Sequence, residues 1–414
     1  MDIKPLSFGA TLAQYENQAK DLVKAYRSGD ADVKRRIRQH HPRLRGRANT
    51  NDRNDVTDSE VRSARVALAD AQCIVARCHG FESWPRLAKH VAALTRKNSR
   101  VLQFESAVEA IITGDVAILK SLLGENPALV RARSTREHHA TLLHYVAANG
   151  VEGFRQKTPK NAVQIAEILL KAGAEVDAEL AYSSAMRRRY PERSGSRTLG
   201  MVATSVHPAR AGVQIALLET LMDAGAAIDG APGGWNPLLA ALHNGRPEAA
   251  EFLASRGARM GLEGAAGVGR LDLVKSFFKK DGSLKATATK AQMEDAFILA
   301  CLYGRTSIAK FLLEKGVDPA AGANVGQTGF HCAALGGHLD TVKMLLQRKA
   351  PLELLNAFGG TVLGQATWCV INGDPTIDYF PIIKILLDAD AKVEEVDYPT
   401  GNKRIDEMLR RHGA

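Results

Sequence analysis

Apolar positions recur at helical spacing along most of the chain, in short stretches broken by Gly, Pro and polar turns. Residues 10–27 place Leu12, Tyr15, Ala19, Leu22 and Tyr26 three and four apart, which predicts an amphipathic helix. Ser28-Gly29-Asp30 breaks it. Val33 and Ile37 then mark a short second helix that Pro42 ends. A polar, turn-rich stretch, NTNDRNDVTDSE, leads into a long helix over roughly 58–78, with Val61, Ala64, Leu68, Ala71, Val75 and Cys78 on one face. Gly80 stops this helix. Ser83 is placed to cap the next one, Pro85 stands at a permitted first-turn position, and Trp84, Leu87, Val91 and Leu94 form its apolar stripe.

From about residue 100 the pattern changes from individual helices to a repeated pair. Its clearest copy is NVGQTGFHCAALGGHLDTVKMLLQRKAPL, residues 324–352. Thr328 starts a first helix with Phe330, Ala333 and Ala334 on its apolar side, and a Gly-Gly turn follows. The second helix carries Val342, Leu345 and Leu346 at helical spacing. One such pair cannot bury both of its faces, so it requires stacked neighbours. The string T-G-F-H-x-A-A-x-x-G-H-x-x-x-V-x-x-L-L resembles the ankyrin repeat, with Gly329 and Phe330 where Pro and Leu are usual.

Equivalent positions after each second helix fall at Gly173, Gly225, Gly257, Gly316, Lys349 and Asp390. Intervals of 32 and 33 residues are single units. The 59-residue interval holds a shortened unit, GLEGAAGVGRLDLVKSFFKKDG, and a normal one, while those of 52 and 41 are units with insertions. With a degenerate first unit at 104–132, the array has about eight units over residues 101–400, preceded by a helical domain (1–100) and closed by a capping helix (401–414). The expected fold is all-α: an ankyrin-repeat solenoid with hairpin-like fingers behind a small helical domain. HHPRL and LADAQCIVARCHGFESWPRLAKHV resemble the domain that precedes the repeats in a group of bacterial ankyrin proteins, a resemblance that implies no defined activity.

Two kinds of insertion stand out. AELAYSSAMRRRYPERSGSR (178–197) falls between repeats, where ankyrin proteins place their fingers. VEGFRQKTPKNA (151–162), HPARAG (207–212) and DPTIDYFP (374–381) lengthen the turn between the two helices of their own repeats. Extra length on one edge of a repeat array marks a candidate binding face.

Charge is unevenly spread. The chain has 414 residues and a formal charge of +10, but residues 1–100 alone carry 20 basic against 11 acidic residues, and the remainder 35 against 34. This shift is the compositional sign of a boundary near residue 100. Hydrophobic residues make up 45% and charged residues 24%, a folding composition without an apolar run long enough for a transmembrane helix. The N-terminus lacks the charged and apolar regions of a signal peptide. Five scattered cysteines point to reduced thiols in the cytoplasm, not to a disulfide framework.

Candidate chemistry is sparse. His144 and His331 fall at the ankyrin motif's histidine position, where the resemblance implies a structural tie between a repeat's turn and the next finger. GVGRLD (267–272) has two glycines of a phosphate loop, but it matches an inter-helix turn and lacks a preceding strand. Cys73 and Cys78 lie five apart, on different faces of a helix, so even with His79, His40 or His41 they form no expected metal site. No nucleophile elbow, HExxH or Walker loop occurs, and neither cofactor nor metal is expected.

The reading that remains is non-catalytic recognition of another protein. By the resemblance, a concave groove would include Tyr145, Ser205, His243, Tyr303, Gln365 and Trp368, with Trp235 at a finger tip. The expanded finger would add Tyr182, Arg188, Arg189 and Tyr190 and favour an acidic or phosphorylated epitope. Two alternatives stand beside it: a small-molecule site or enzyme with a pocket between the N-terminal domain and the first repeats, or nucleic-acid binding through the basic run 34–47. The second is not favoured, because the repeats are nearly neutral. The N-terminal domain would also cap the apolar end of the first repeat.

Overall fold

The computed structural model describes residues 9–41, 61, 66–149, 151–181, 195–322, 326–396 and 398–413. By its contacts the chain forms two units, Met1–Asn236 and Pro237–Ala414. Among the described residues the secondary structure is helical, with only isolated β-bridges, and no helix is long and apolar enough to cross a membrane.

The first unit begins with α1 (Leu12–Arg27), α2 (Ala31–His40), α3 (Leu68–Cys78) and α4 (Trp84–Leu94). The predicted stripe of α1 is buried at Tyr15, Ala19 and Leu22, where it meets Val33 and Ile37 of α2 and Ala71, Ile74 and Val75 of α3 in one apolar cluster. The long helix expected over 58–78 is shorter in its described part. Ala67 is extended, the Asp70 carboxylate accepts its N–H at 3.0 Å, and α3 starts only at Leu68. Leu68 consequently lies in the first turn and is exposed rather than buried, and Ala64 falls outside the described residues. Ser83 occupies the N-cap of α4 without a side-chain capping bond, and Trp84 is only half-buried.

The repeats of this unit follow as α5 (Arg100–Thr113) with α6 (Val116–Glu125), a 3₁₀ helix Leu142–Ala147 with α7 (Ala162–Lys171), and α8 (Thr198–Thr204) with α10 (Gln214–Asp223). HPARAG adds the short α9 (Val206–Arg210). First helices pack on first helices, α5 on the 3₁₀ helix and that on α8, while α7 packs on α10; α4 packs on α5.

The second unit is more regular. Its helix pairs are α11 (Pro237–His243) with α12 (Pro247–Ser255), α13 (Leu262–Val268) with α14 (Leu271–Ser276), α15 (Lys290–Leu302) with α16 (Thr306–Glu314), α17 (Gly329–Leu335) with α18 (Leu339–Gln347), and α19 (Val362–Asn372) with α20 (Phe380–Leu387). First helices stack in order from α11 to α19. Among the second helices, α14, α16, α18 and α20 form a parallel layer that α21 (Lys403–Arg410) closes with Ile405 and Leu409 buried. One apolar cluster runs through both layers from Leu262 to Leu409. GVGRLD is the turn between α13 and α14, with Gly269 left-handed at φ +97°.

The positions aligned after the second helices share a conformation. Gly173, Gly225, Gly257 and Gly316 have φ between +90° and +95°, and Lys349 and Asp390 take φ +54° and +59°. A left-handed residue here ends the helix and turns the chain toward the next finger.

Candidate functional site

The motif histidines do what their position implies. Thr328 and Thr141 stand before their helices; His331 Nδ1 accepts the Thr328 N–H at 3.2 Å, and His144 Nδ1 accepts the Thr141 N–H at 3.1 Å. The second ring nitrogen reaches onward, His331 Nε2 to Gly360 O at 3.1 Å and His144 Nε2 to Ala178 O at 3.0 Å. Each imidazole therefore pins one repeat's first turn to the following finger. Burial pushes both rings toward the neutral form, with His144 down to about 4.

In the first unit the principal polar cluster is buried. Glu105 sits on α5 beside Phe104 and Val108 and meets Arg136, from the loop after α6, and Arg155, from the 151–162 insertion. Arg155 Nη1 lies 2.6 Å from one Glu105 oxygen and Arg136 Nη1 bonds the other. Glu152 completes the square, 3.4 Å from Arg136 Nε, while the Tyr145 hydroxyl donates to it at 2.9 Å and His138 Nε2 lies at 3.0 Å. The N-terminal segment supplies the surroundings: the Phe81 ring, between α3 and α4, faces the Arg136 guanidinium, and His90 Nδ1 of α4 is 2.7 Å from Thr135 Oγ1.

Burial alone would raise Glu105, but Arg136 and Arg155 outweigh it and hold the carboxyl at about 2. Burial also keeps the Tyr145 phenol protonated, assisted by Glu152, and brings His79 and His90 down to about 4 with the Arg136 charge adding to the effect. Two carboxylates thus face two guanidiniums inside the protein. The arrangement joins chain segments, and both His144 and Tyr145 are buried and committed to partners within the protein.

In the second unit an open groove takes shape from a short finger. The Asn356 N–H donates to Gly360 O at 3.0 Å, and Asn356 Oδ1 accepts the N–H groups of Phe358 and Gly360 at 2.9 and 3.1 Å. Gly359, at φ +81°, completes a tight turn that holds Phe358 outward, 79% exposed. Thr361 then caps α19, its hydroxyl accepting the Gly364 N–H. Val362, Leu363, Ala366 and Cys369 bury one face of that helix; Trp368 and Ile371, 51% and 53% exposed, project from the other.

Between finger and helix lies a cavity of about 750 Å³ lined by Gln327, Asn356, Phe358, Gln365, Trp368 and Ile371, among others. At its floor Gln365 Oε1 accepts from Gln327 Nε2 at 3.3 Å and Asn356 Nδ2 at 3.4 Å, while Gln365 Nε2 lies 3.5 Å from the Cys369 thiol.

The sequence-derived contact residues separate accordingly. Tyr145 and Ser205 are corrections: Tyr145 is 2% exposed because its hydroxyl is drawn to Glu152, and Ser205 is fully buried at the N-cap of α9. Neither can touch a partner in this conformation. Gln365 is also buried, 8% exposed, yet it lines the groove together with Trp368. Tyr303 is half-buried and donates its hydroxyl to Leu242 O; His243 and Trp235 are exposed. Tyr182, Arg188, Arg189 and Tyr190 lie outside the described residues, as do residues 42–47 of the basic run. Among the described residues no group of His, Cys, Asp and Glu has a metal-binding arrangement around Cys73, Cys78 or elsewhere.

Phe358, Ile371, Asn356 and Gln327 were not singled out by sequence. An aromatic residue before Gly-Gly between two repeats was the available signal for Phe358. No local signal marks the Glu105 cluster, whose partners lie 31 and 50 residues away.

Comparison with known families agrees with this geometry. A family model described as "Ankyrin repeats (3 copies)" matches residues 262–354 and 297–397. The matched residues include the stretch that carries the groove. Among solved structures, the human ASB11 ankyrin repeat domain is 19% identical over 68% of this chain and 96% of its own length, with a TM-score of 0.35.

Proposed function

We propose that the protein is a non-catalytic scaffold that binds another protein through the face of its repeats, with the Phe358–Trp368 groove as principal contact. One observation carries this reading: large apolar side chains stand exposed on both sides of a cavity whose floor is built of ordered amides. Aromatic anchors over a polar, preorganised floor are the composition of recognition hot spots. In this reading His243 and Tyr303 belong to the recognition face, and the finger at 178–197 is a second contact. The helices before residue 100 cap the first repeat, the array spans 101–400, and α21 closes the far end. We place the protein in a reducing, cytoplasmic compartment, in keeping with its free cysteines.

The test is affinity capture from lysate with the parent protein and with Phe358→Ala/Trp368→Ala. A discrete protein retained by the first and lost from the second is the expected result. An identical set of captured proteins, or none, overturns the assignment of the groove.

A further inference from the structure

Two segments of the repeats reach back onto the N-terminal helices. The loop after α6 brings Thr135, Arg136 and Glu137, and the 151–162 insertion brings Phe154. They meet the short stretch between α3 and α4, together with His90 of α4. The Glu137 N–H donates to Gly80 O at 2.8 Å. Gly80, left-handed at φ +79°, leaves room for Arg136, whose Cδ lies 3.3 Å from where a Cβ would stand.

Two buried histidines stand in this junction. The His79 ring packs edge-on against Tyr15 of α1 and Phe154, with centroids 5.0 and 6.1 Å away, and its Nε2 is 3.4 Å from Gln18 Oε1. The His90 ring lies 4.8 Å from that of Phe81, and the Arg136 guanidinium stands over the Phe81 ring. Arg136 and, from α2, Arg36 are the charges that face His79. Arg136 and Arg155 face His90, opposed by Glu105 and Glu152, which those two guanidiniums already hold. An imidazolium at either place would be buried beside a guanidinium, so the docked junction favours both rings neutral.

We propose that this junction is a proton-operated latch: protonation of His79 and His90 releases α1–α4 from the first two repeats while the later repeats stay folded. Burial holds both rings at about 4, with Arg136 adding to the effect, against an ordinary 6.5. Protons therefore bind the released form first; docking is at full strength above about 6.5 and weakens as pH falls toward 4. At pH 5 each ring shifts the balance toward release by up to about 30-fold, and the two together by up to about a thousandfold. Acid acts here first because, of the described rings held at about 4, His79 and His90 share this junction and only His144 lies elsewhere. Release uncovers the side of α5 on which α4 packs. The device is independent of the groove at Phe358.

The test is hydrogen exchange of the full-length protein, read by mass spectrometry between pH 7.5 and 4.5, with each rate divided by the intrinsic rate at that pH. Protection should fall at least about tenfold by pH 5 in the segments that face each other, 76–90 and 134–139, and persist over α15–α18. His79→Gln/His90→Asn keeps polar atoms toward Gln18 and Thr135 without a titrating ring, and should hold the junction protected at pH 5. Phe154→Ala removes a half-buried ring from the edge of the junction and should move the opening to higher pH. Unchanged protection of the two segments in the parent overturns the latch, as does its loss in step with α15–α18. The same profile in parent and double variant also overturns it. Should the double variant be unfolded at pH 7.5, Phe154→Ala decides, and an opening pH equal to the parent's overturns the proposal.

Discussion

Single residues carry much of the regularity of this chain, and several can be tested in isolation. His331 spans from the Thr328 N–H to Gly360 O, so His331→Ala strands a buried donor and a carbonyl together. It should lower unfolding free energy by about 2–3 kcal/mol, read from the urea midpoint at constant slope. Lys349 and Asp390 take the left-handed conformation that glycine occupies in four equivalent positions. Relief of that strain exceeds the entropy glycine adds to the unfolded chain, so Lys349→Gly should stabilise by about 0.5 kcal/mol, whereas Gly316→Ala should destabilise. The buried histidines set a pH dependence. His79, His90 and His144 have folded-state values of about 4 against an ordinary 6.5. Protons therefore bind the unfolded state first; stability is fully present above about 6.5 and is lost as pH falls toward 4. Glu105, held at about 2, adds a further loss below its ordinary value of 4.5. Thermal unfolding midpoints between pH 7.5 and 4 should fall accordingly, and less steeply in His144→Asn.

Elements show where sequence was legible and where it was not. The α17–α18 pair could be read almost residue by residue, because Thr328, the apolar triplet and the Gly-Gly turn all act within one repeat. α3 could not: the carboxylate of Asp70 satisfies the Ala67 N–H and starts the helix there, overriding an apolar periodicity that continues upstream. The 151–162 insertion was placed correctly as a lengthened turn, but its direction was invisible. Loop length suggests an outward binding feature; instead Glu152 and Arg155 turn inward to Arg136 and Glu105. The same long-range pull removed Tyr145 from the recognition face. Breaking this cluster on one side should be costly: Glu105→Ala leaves two buried guanidiniums short of a partner and should destabilise by about 3–5 kcal/mol, measured by denaturant unfolding.

At the scale of the molecule, stability is a sum of neighbours rather than one central core. In the second unit each helix layer contacts the next in order, and α21 ends the series. Truncation after Thr400 removes the fully buried Ile405 and Leu409, a loss of about 3–6 kcal/mol by their burial, and exposes the apolar side of α20. Earlier elution or turbidity on size-exclusion chromatography should follow. The first unit is built differently. Glu105, Arg136 and Arg155 tie the first two repeats together, while Phe81, between α3 and α4, faces the Arg136 guanidinium and His90 of α4 bonds Thr135 beside it. Repeat arrays ordinarily lengthen and shorten by gain or loss of whole units, since each unit meets neighbours of the same kind. A duplicated second repeat would bring an Arg155 with no Glu105 to face. Descendants of this chain are therefore free to vary in repeat number downstream, whereas the segment from α1 to α7 can be inherited, transplanted or lost only as a block.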